Sequence, residues 1–253
     1  MSTIVLTSAG HAPGVTTTAL GLTLAWPKPA ILVDADPHPS QSVLAGYLQG
    51  ADPYGRGLWA MLAAHRERRP LYAALEAALL ELPDAPERRF LPGFANPGMA
   101  ELFAPVWPEF MTAIKGCASD VVVDAGRVSG RGLPPALLEA ADAILVVTGS
   151  SLVDLVTLRI HLPGLIDAAP SQRLSLLVIG PGRPYTEGEI ARQFEIPIEE
   201  PIAWAPRDAR IWSHGDPANR RFRAGGYLRS IRKSAASLMA RLEQRRVEIG
   251  VPR

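Results

Sequence analysis

The stretch Thr3–Asp34 has the sequence TIVLTSAGHAPGVTTTALGLTLAWPKPAILVD, and it decides the fold. Thr3–Ser8 is a short apolar run rich in β-branched residues, which predicts a buried strand. A glycine-containing turn follows, and Thr16–Ala25 is predicted to be a helix that the prolines of residues 26–29 stop. Ala30–Asp34 predicts a second buried strand. Strand, helix and strand within so short a stretch form a βαβ unit, which implies a parallel sheet with a right-handed crossover.

Further apolar runs extend this sheet along the rest of the chain. Continuous apolar strands are typical of a parallel sheet that is covered on both faces. We therefore predict an α/β fold, a single domain over residues 1–253 with a mostly parallel sheet and helices on both faces. The predicted strands are Asp120–Asp124, Ala143–Thr148, Leu174–Ile179 and a short one at Arg89–Leu91 within the Pro- and Gly-rich segment 83–98; helices are predicted around 57–81, 99–116, 134–141 and 151–162, at Glu187–Phe194 and at Gly226–Val247.

The composition excludes several classes of protein. Of the 253 residues, 47% are hydrophobic and 20% are charged, so the chain is globular rather than disordered. Cys117 is the single cysteine, which rules out an intrachain disulfide and favours a packed thiol in a reducing compartment. The opening MSTIVLTSAG lacks the basic region of a signal peptide, and no apolar run approaches the length that spans a bilayer. We expect a cytoplasmic protein, and the sequence leaves open whether it associates with the nucleoid or with a membrane.

The turn between the first strand and the first helix is a candidate anion site. Gly10, His11 and Gly14 lie in it, and the backbone N–H groups of such a loop and the helix dipole converge at one point. In a P-loop NTPase, a lysine of this loop reaches the β- and γ-phosphates, and the next Ser or Thr hydroxyl binds Mg²⁺.

The sequence TSAGHAPGVTTTALGLTLA resembles the opening of the ParA/MinD family of deviant Walker A ATPases, which are P-loop proteins of the SIMIBI type. That family typically has a Gly-Lys-Gly-Gly-x-Gly-Lys-Thr-Thr loop. Gly14, Thr16 and Thr17 stand where the family has its last glycine and its two threonines. Val15 replaces the P-loop lysine, and Gly10 replaces the signature lysine that reaches across a dimer to the ATP of the other subunit.

Losing both lysines weakens the site for a triphosphate. The loop then offers N–H groups, the helix dipole and His11, and each lost charge-assisted hydrogen bond costs on the order of 1.5–3 kcal/mol. Because phosphoryl transfer depends mainly on positioning and charge stabilisation, hydrolysis should suffer more than binding. The sequence leaves open whether an arginine from elsewhere in the chain takes the place of the missing lysines.

The resemblance also assigns roles to two carboxylates. Asp36, in Asp34-Ala35-Asp36-Pro37, matches the residue associated with the attacking water, and Asp124 matches the Walker B aspartate that binds Mg²⁺ through water. The resemblance thus implies ATP and Mg²⁺ as cofactors, with Thr16, Asp36 and Asp124 on the metal side, and an ATPase if the chain is active. An aspartate after a parallel strand is also common as a helix cap or a loop residue.

The likeness continues toward the C-terminus. Ala125–Arg127 and Leu137–Asp142 resemble the family's switch II and the helix after it, and Ala203–Asp208 resembles the loop beside the adenine, which assigns base contact to Pro206 and Arg207. Residues 50–118 match the family poorly. The degenerate loop and the Arg- and Ala-rich composition suggest TadZ/CpaE-like proteins, which are associated with placing pilus or secretion machinery.

A basic segment follows, with nine basic residues against one acid between residues 220 and 246, a net of +8 in a chain of +1. Apolar residues recur in it at helical spacing, which indicates a basic helix over about 220–247 that packs on the domain. Its cations form either a solvated face or a contact for DNA or an anionic membrane. The residues concerned are Arg220, Arg221, Arg223, Arg229, Arg232 and Lys233.

Three functions remain open from the sequence. The first is a homodimeric ParA/MinD-like positioning or partitioning protein with weak or absent ATP hydrolysis, acting on DNA or with a partner of a secretion system. The second is a pseudo-ATPase scaffold that binds partner proteins without turnover. The third, a dinucleotide-binding oxidoreductase, draws on Asp34 lying 20 residues after Gly14, but the loop lacks the G-x-G-x-x-G pattern. A metal site formed by His11 and His38 is disfavoured, because their spacing fits no zinc motif.

Overall fold

The structure, a computed structural model, describes residues 1–10, 13–83, 85–128, 132–248 and 250. Within these residues seven strands form one sheet in the order β3-β4-β2-β5-β1-β6-β7, and all neighbours are parallel except β3 and β4. The strands are β1 Thr3–Ser8, β2 Ala30–Asp34, β3 Leu80–Glu81, β4 Arg88–Leu91, β5 Asp120–Arg127, β6 Ala143–Gly149 and β7 Leu174–Ile179.

The central strands are buried along almost their whole length because helices cover both faces of the sheet. Successive residues point to opposite faces, so Val5 and Val123 join one core cluster, whereas Leu6 and Val122 join the other. This confirms the predicted α/β fold with a mostly parallel sheet.

Two groups of helices form the outer layers. On the face of Val5 lie α2 Leu58–Arg66, α3 Leu71–Ala78, α4 Pro97–Leu102, α5 Trp107–Lys115, α6 Pro135–Ala140, α7 Leu152–Ala168 and α8 Glu187–Phe194. On the face of Leu6 lie α1 Val15–Ala25, a π-helical turn Val43–Tyr47, α9 Pro206–Ser213, α10 Arg220–Ala224 and α11 Gly226–Glu248.

The predicted strands β1, β2 and β7 have the observed bounds, whereas some helices differ from the prediction. The helix expected around 57–81 is divided into α2 and α3, because Arg68 takes a left-handed φ of 56° and Pro70 follows. The helix expected around 99–116 is divided into α4, a 3-10 turn Ala104–Val106 and α5. In contrast, α7 continues to Ala168 through Pro163, beyond its predicted end.

The basic C-terminal segment is two helices rather than the one predicted over about 220–247. The chain leaves α10 at Gly225 in an extended conformation and starts α11 at Gly226. The predicted apolar stripe of Tyr227, Ile231 and Leu238 is buried on the domain, so these side chains belong to the core.

Cys117 is buried, as expected for a packed thiol. Among the described residues, no helix combines the length and the apolar character needed to cross a bilayer.

Candidate functional site

The predicted phosphate loop lies at the carboxyl edge of the sheet, between β1 and α1. Gly14 caps α1 with φ 94° and ψ 39°, a conformation that glycine adopts without steric cost, and its carbonyl accepts the Thr18 N–H at 2.8 Å. Among the described residues, no side chain caps this helix end, which leaves its first N–H groups open to an anion. Thr16 and Thr17 lie half-buried in the first turn. His11 lies outside the described residues.

Val15, at the position of the family's P-loop lysine, is a core side chain. It is 6% exposed and belongs to the core cluster of Leu6 and Ala19. At position 15 the chain therefore has an apolar side chain that packs in the core under the loop.

Gly10, at the position of the signature lysine, is covered by α7. A Cβ placed on Gly10 would lie 2.7 Å from the Cγ2 atom of Thr157. Real Cβ atoms do not approach so closely, so any side chain at position 10 requires Thr157 to move. The sequence alone did not predict this contact, since nothing in it distinguishes Thr157 from other helix residues.

The predicted carboxylate Asp124 meets a second one, Asp34, which the sequence did not single out for this site. Asp34 and Asp124 are register partners of the parallel pair β2 and β5, and the Ala35 N–H donates to the Asp124 carbonyl at 2.7 Å. Their side chains are 6% and 1% exposed. The structure thus places two nearly buried carboxyl groups side by side, next to the loop that follows β1.

Asp124 keeps one oxygen free for a further ligand. Its Oδ1 accepts the Gly126 N–H at 3.0 Å, whereas its Oδ2 is buried and has no hydrogen-bond partner in the described part of the chain. The Thr16 hydroxyl approaches this carboxylate closely enough to lower its pKa, although it forms no well-aligned hydrogen bond with Oδ2. A Thr hydroxyl beside an orphaned carboxylate oxygen fits a hydrated Mg²⁺, which keeps several of its waters. Among the described residues, no cluster of three or more His, Cys, Asp or Glu side chains could ligate a metal directly.

Asp36 lies against the turn that follows Asp124. Its Oδ1 accepts the His38 N–H at 2.8 Å, and the His38 Nδ1 is 3.8 Å from the same oxygen. Gly126 has a φ of 61°, and a Cβ at that position would overlap the Asp36 carboxyl group. The structure therefore brings Asp36 and Asp124 to one corner, as the resemblance implied, while the role of Asp36 toward a water stays a prediction.

Burial raises the pKa values of all three carboxyl groups. The pKa of Asp34 rises to about 8, from burial first and from the charge of Asp124 second. Burial raises the pKa of Asp124 to about 6, against the hydrogen bonds from Thr16 and Gly126. Burial also raises the pKa of Asp36, against the effects of His38 and Arg127. The site therefore favours a bound proton or cation over three free negative charges.

The predicted base loop lies at the start of α9. Pro206 and Arg207 line a cavity of about 630 Å³ together with Asp208 and Asn219. Beside it, Trp204 is half exposed, and the Arg183 guanidinium lies 5.3 Å from its ring centroid. The structure joins Pro206 and Arg207 in one cavity, but Gly14 and Thr16 do not line it.

Some of the cations of the basic segment form ion pairs or hydrogen bonds with the rest of the domain, and others do not. Lys233 pairs with Glu200 at 2.5 Å, Arg241 pairs with Glu199 at 2.6 Å, and Arg245 donates to the Gln172 carbonyl at 2.9 Å. Within the described residues, the exposed cations of this segment without an acidic partner are Arg220, Arg221, Arg223, Arg229 and Arg232.

No protein-family model and no curated protein matches the chain. Solved structures match over nearly the whole length. MinD from Aquifex aeolicus has 20% identity and a TM-score of 0.71, covering 95% of this chain and 98% of that one. A ParA family ATPase from Chlorobium tepidum TLS has 16% identity and a TM-score of 0.73, covering 94% and 98%. MinD from Pyrococcus horikoshii with Mg-ADP has 16% identity and a TM-score of 0.70, covering 94% and 95%.

The fold is therefore that of a single-domain α/β P-loop protein. More narrowly, it is the fold of the ParA and MinD ATPases, which confirms the resemblance at the level of structure.

Proposed function

We propose that this chain is a ParA/MinD-like protein of intracellular positioning or partitioning that hydrolyses ATP weakly or not at all. The observation that carries the proposal is the state of the two lysine positions. Val15 is buried in the core and Gly10 is covered by Thr157, so neither position presents a cation to a phosphate. Catalysis of phosphoryl transfer rests mainly on such charges and on positioning.

The metal side of the site supports retained nucleotide binding. Thr16 and Asp124 would hold a hydrated Mg²⁺, with the free Oδ2 of Asp124 accepting from a bound water. The ion supplies charge neutralisation for the phosphates when bound. Asp36 lies close enough to Gly126 and Asp124 to orient a water at the same corner.

We propose a homodimer, with α7 in the contact. Four apolar side chains on its outer side are between 50% and 68% exposed, and the same helix covers the loop through Thr157. Exposed apolar stripes of this kind are typical of protein contacts. The MinD of Aquifex aeolicus was also solved as a complex with MinC, so a partner protein is the other candidate for this surface. The four residues are Leu152, Val153, Val156 and Ile160.

The arginines of α10 and α11 that have no acidic partner in the described ranges support attraction to an anionic polymer or surface. Arg220, Arg221 and Arg223 are exposed within one short helix, with Arg229 and Arg232 following. We propose non-specific contact with DNA or an anionic membrane in the cytoplasm, where either contact would weaken as salt rises.

The alternative function is a pseudo-ATPase scaffold that binds partners without nucleotide turnover. Calorimetric titration with ATP and Mg²⁺ separates the two, with Val15→Lys and Thr16→Ala as comparison variants. Native binding that Thr16→Ala abolishes supports a nucleotide-dependent positioning protein. No native binding, with binding gained by Val15→Lys, supports the scaffold. Native binding that is indifferent to Thr16→Ala would contradict the proposed site.

A further inference from the structure

A cavity of about 850 Å³ lies beyond the carboxyl ends of β2 and β5, on the face of the sheet that α4, α5 and α6 cover. Its inner wall is almost entirely apolar and buried. The residues of this wall are Ala35, Phe94, Trp107, Ala125, Leu133 and Leu137.

Of the residues that the structure describes, three titratable side chains lie on the rim. Glu101 already interacts with another residue, and His38 lies close to the Asp36 carboxylate. Arg127 is exposed, has an electrostatic interaction with Asp36, and has no hydrogen-bond partner among the described residues. Its guanidinium therefore retains its five donors for an incoming group, in a geometry that matches a carboxylate.

We propose that this cavity binds a small apolar carboxylate, with the apolar body against Phe94 and Trp107 and the carboxylate on Arg127. The volume lies within the range of roughly 300–1,000 Å³ that is typical of small-molecule sites. Such sites combine an apolar wall with few polar groups that fix orientation, as found here. The concave apolar wall, which includes the rings of Phe94 and Trp107, suits a small ligand better than a flat protein surface.

The cavity shares its wall with the candidate nucleotide site. Ala35 lies between Asp34 and Asp36, and Ala125 follows Asp124. A carboxylate on Arg127 would also compete with Asp36 for the same cation. The ligand would thus act as an effector of the carboxylate corner, whether or not ATP is hydrolysed there.

The test titrates the full chain with 4-phenylbutyrate, and with 4-phenylbutanol and 4-phenylbutylamine as matched probes of neutral and positive head groups. Calorimetry should show saturable binding of the carboxylate and weaker binding of the other two. Arg127→Gln should weaken carboxylate binding about tenfold or more and leave the alcohol unchanged. Ala104→Trp, which adds bulk to an exposed wall residue, should abolish binding of the carboxylate and the alcohol.

Two matched variants act as controls. Arg66→Gln removes an exposed arginine at the end of α2, and Ala236→Trp adds a tryptophan to an exposed position of α11 on the other face of the sheet. Both should bind 4-phenylbutyrate like the native chain. Any of four results would overturn the proposal. The three probes bind equally, or no carboxylate binds at millimolar concentration. Alternatively, Arg127→Gln leaves carboxylate binding unchanged, or binding survives Ala104→Trp.

Discussion

Asp34 and Asp124 are paired in register on adjacent parallel strands, and both carboxyl groups are buried. Such a pair cannot carry two charges in the absence of a cation without a large electrostatic cost. A cation or a proton at this corner is therefore part of the stable state of the fold.

The pH dependence of stability should change when Asp34 is replaced. The pKa of Asp34 is raised from 3.8 to about 8, so the folded chain holds a proton that the unfolded chain releases. Stability from this group is full below about pH 4 and is lost as pH rises toward about 8. In metal-free buffer, Asp34→Asn should reduce the loss of unfolding free energy between pH 5 and pH 8.5 by at least about 1 kcal/mol. Urea unfolding at the two pH values measures it, and parallel losses in both proteins would argue against the raised pKa.

The contact between Gly10 and Thr157 should appear as an energetic coupling. Gly10→Ala places a Cβ against the Thr157 Cγ2 atom and should cost about 1–3 kcal/mol of stability. Thr157→Ser removes that methyl group, so the double variant should recover most of the loss. A double-mutant cycle by urea unfolding tests this, and additive effects would show that the two residues do not touch.

Gly126 should tolerate substitution less well than a glycine of similar backbone conformation elsewhere. Gly126→Ala adds left-handed strain and overlap with the Asp36 carboxyl group. Gly50→Ala is the matched control, because Gly50 has a φ of 80° and no heavy atom within 4 Å of an added Cβ. Thermal unfolding should show a loss for Gly126→Ala larger by about 1–3 kcal/mol. Equal losses would mean that Asp36 does not lie against this turn.

The arginines of α10 should carry any anion binding of the basic segment. Changing Arg220, Arg221 and Arg223 together to Gln should weaken binding to duplex DNA or to anionic vesicles, and should lower the DNA salt slope by up to about 0.9 per charge removed. Lys233→Gln, which removes a cation paired with Glu200, should have a smaller effect. Fluorescence anisotropy and vesicle sedimentation distinguish the two surfaces. Native-like binding by the triple variant would exclude α10 as the contact.

The sequence predicted the sheet well because its strands are continuous apolar runs with clear ends, as at Ala30–Asp34. The resemblance, rather than the strand pattern, implied that Thr16, Asp36 and Asp124 belong to one site, and the structure places them near each other because the carboxyl ends of parallel strands meet at one edge. The sequence missed α9, which is short and polar, the break at Gly225 between α10 and α11, and the split at Arg68, where a non-glycine residue takes a left-handed conformation.

The close approach of Thr157 to Gly10 could not be predicted from the sequence either, since it depends on how α7 packs on the loop. The same holds for the stacking of Arg183 on Trp204, which joins residues from two loops. The functional roles of Gly10, His11, Gly14, Val15, Thr16, Thr17, Asp36, Asp124, Pro206 and Arg207 toward a nucleotide remain predictions of the resemblance.

The most direct measurement is the rate of phosphate release from ATP and Mg²⁺ by the native chain, compared with Asp36→Asn and Thr16→Ala, with and without DNA or anionic vesicles. Because Val15 and Gly10 offer no cation, the native rate should be close to that of both variants. Robust release by the native chain that both substitutions abolish would contradict the account, and would show that another cation has replaced the missing lysines.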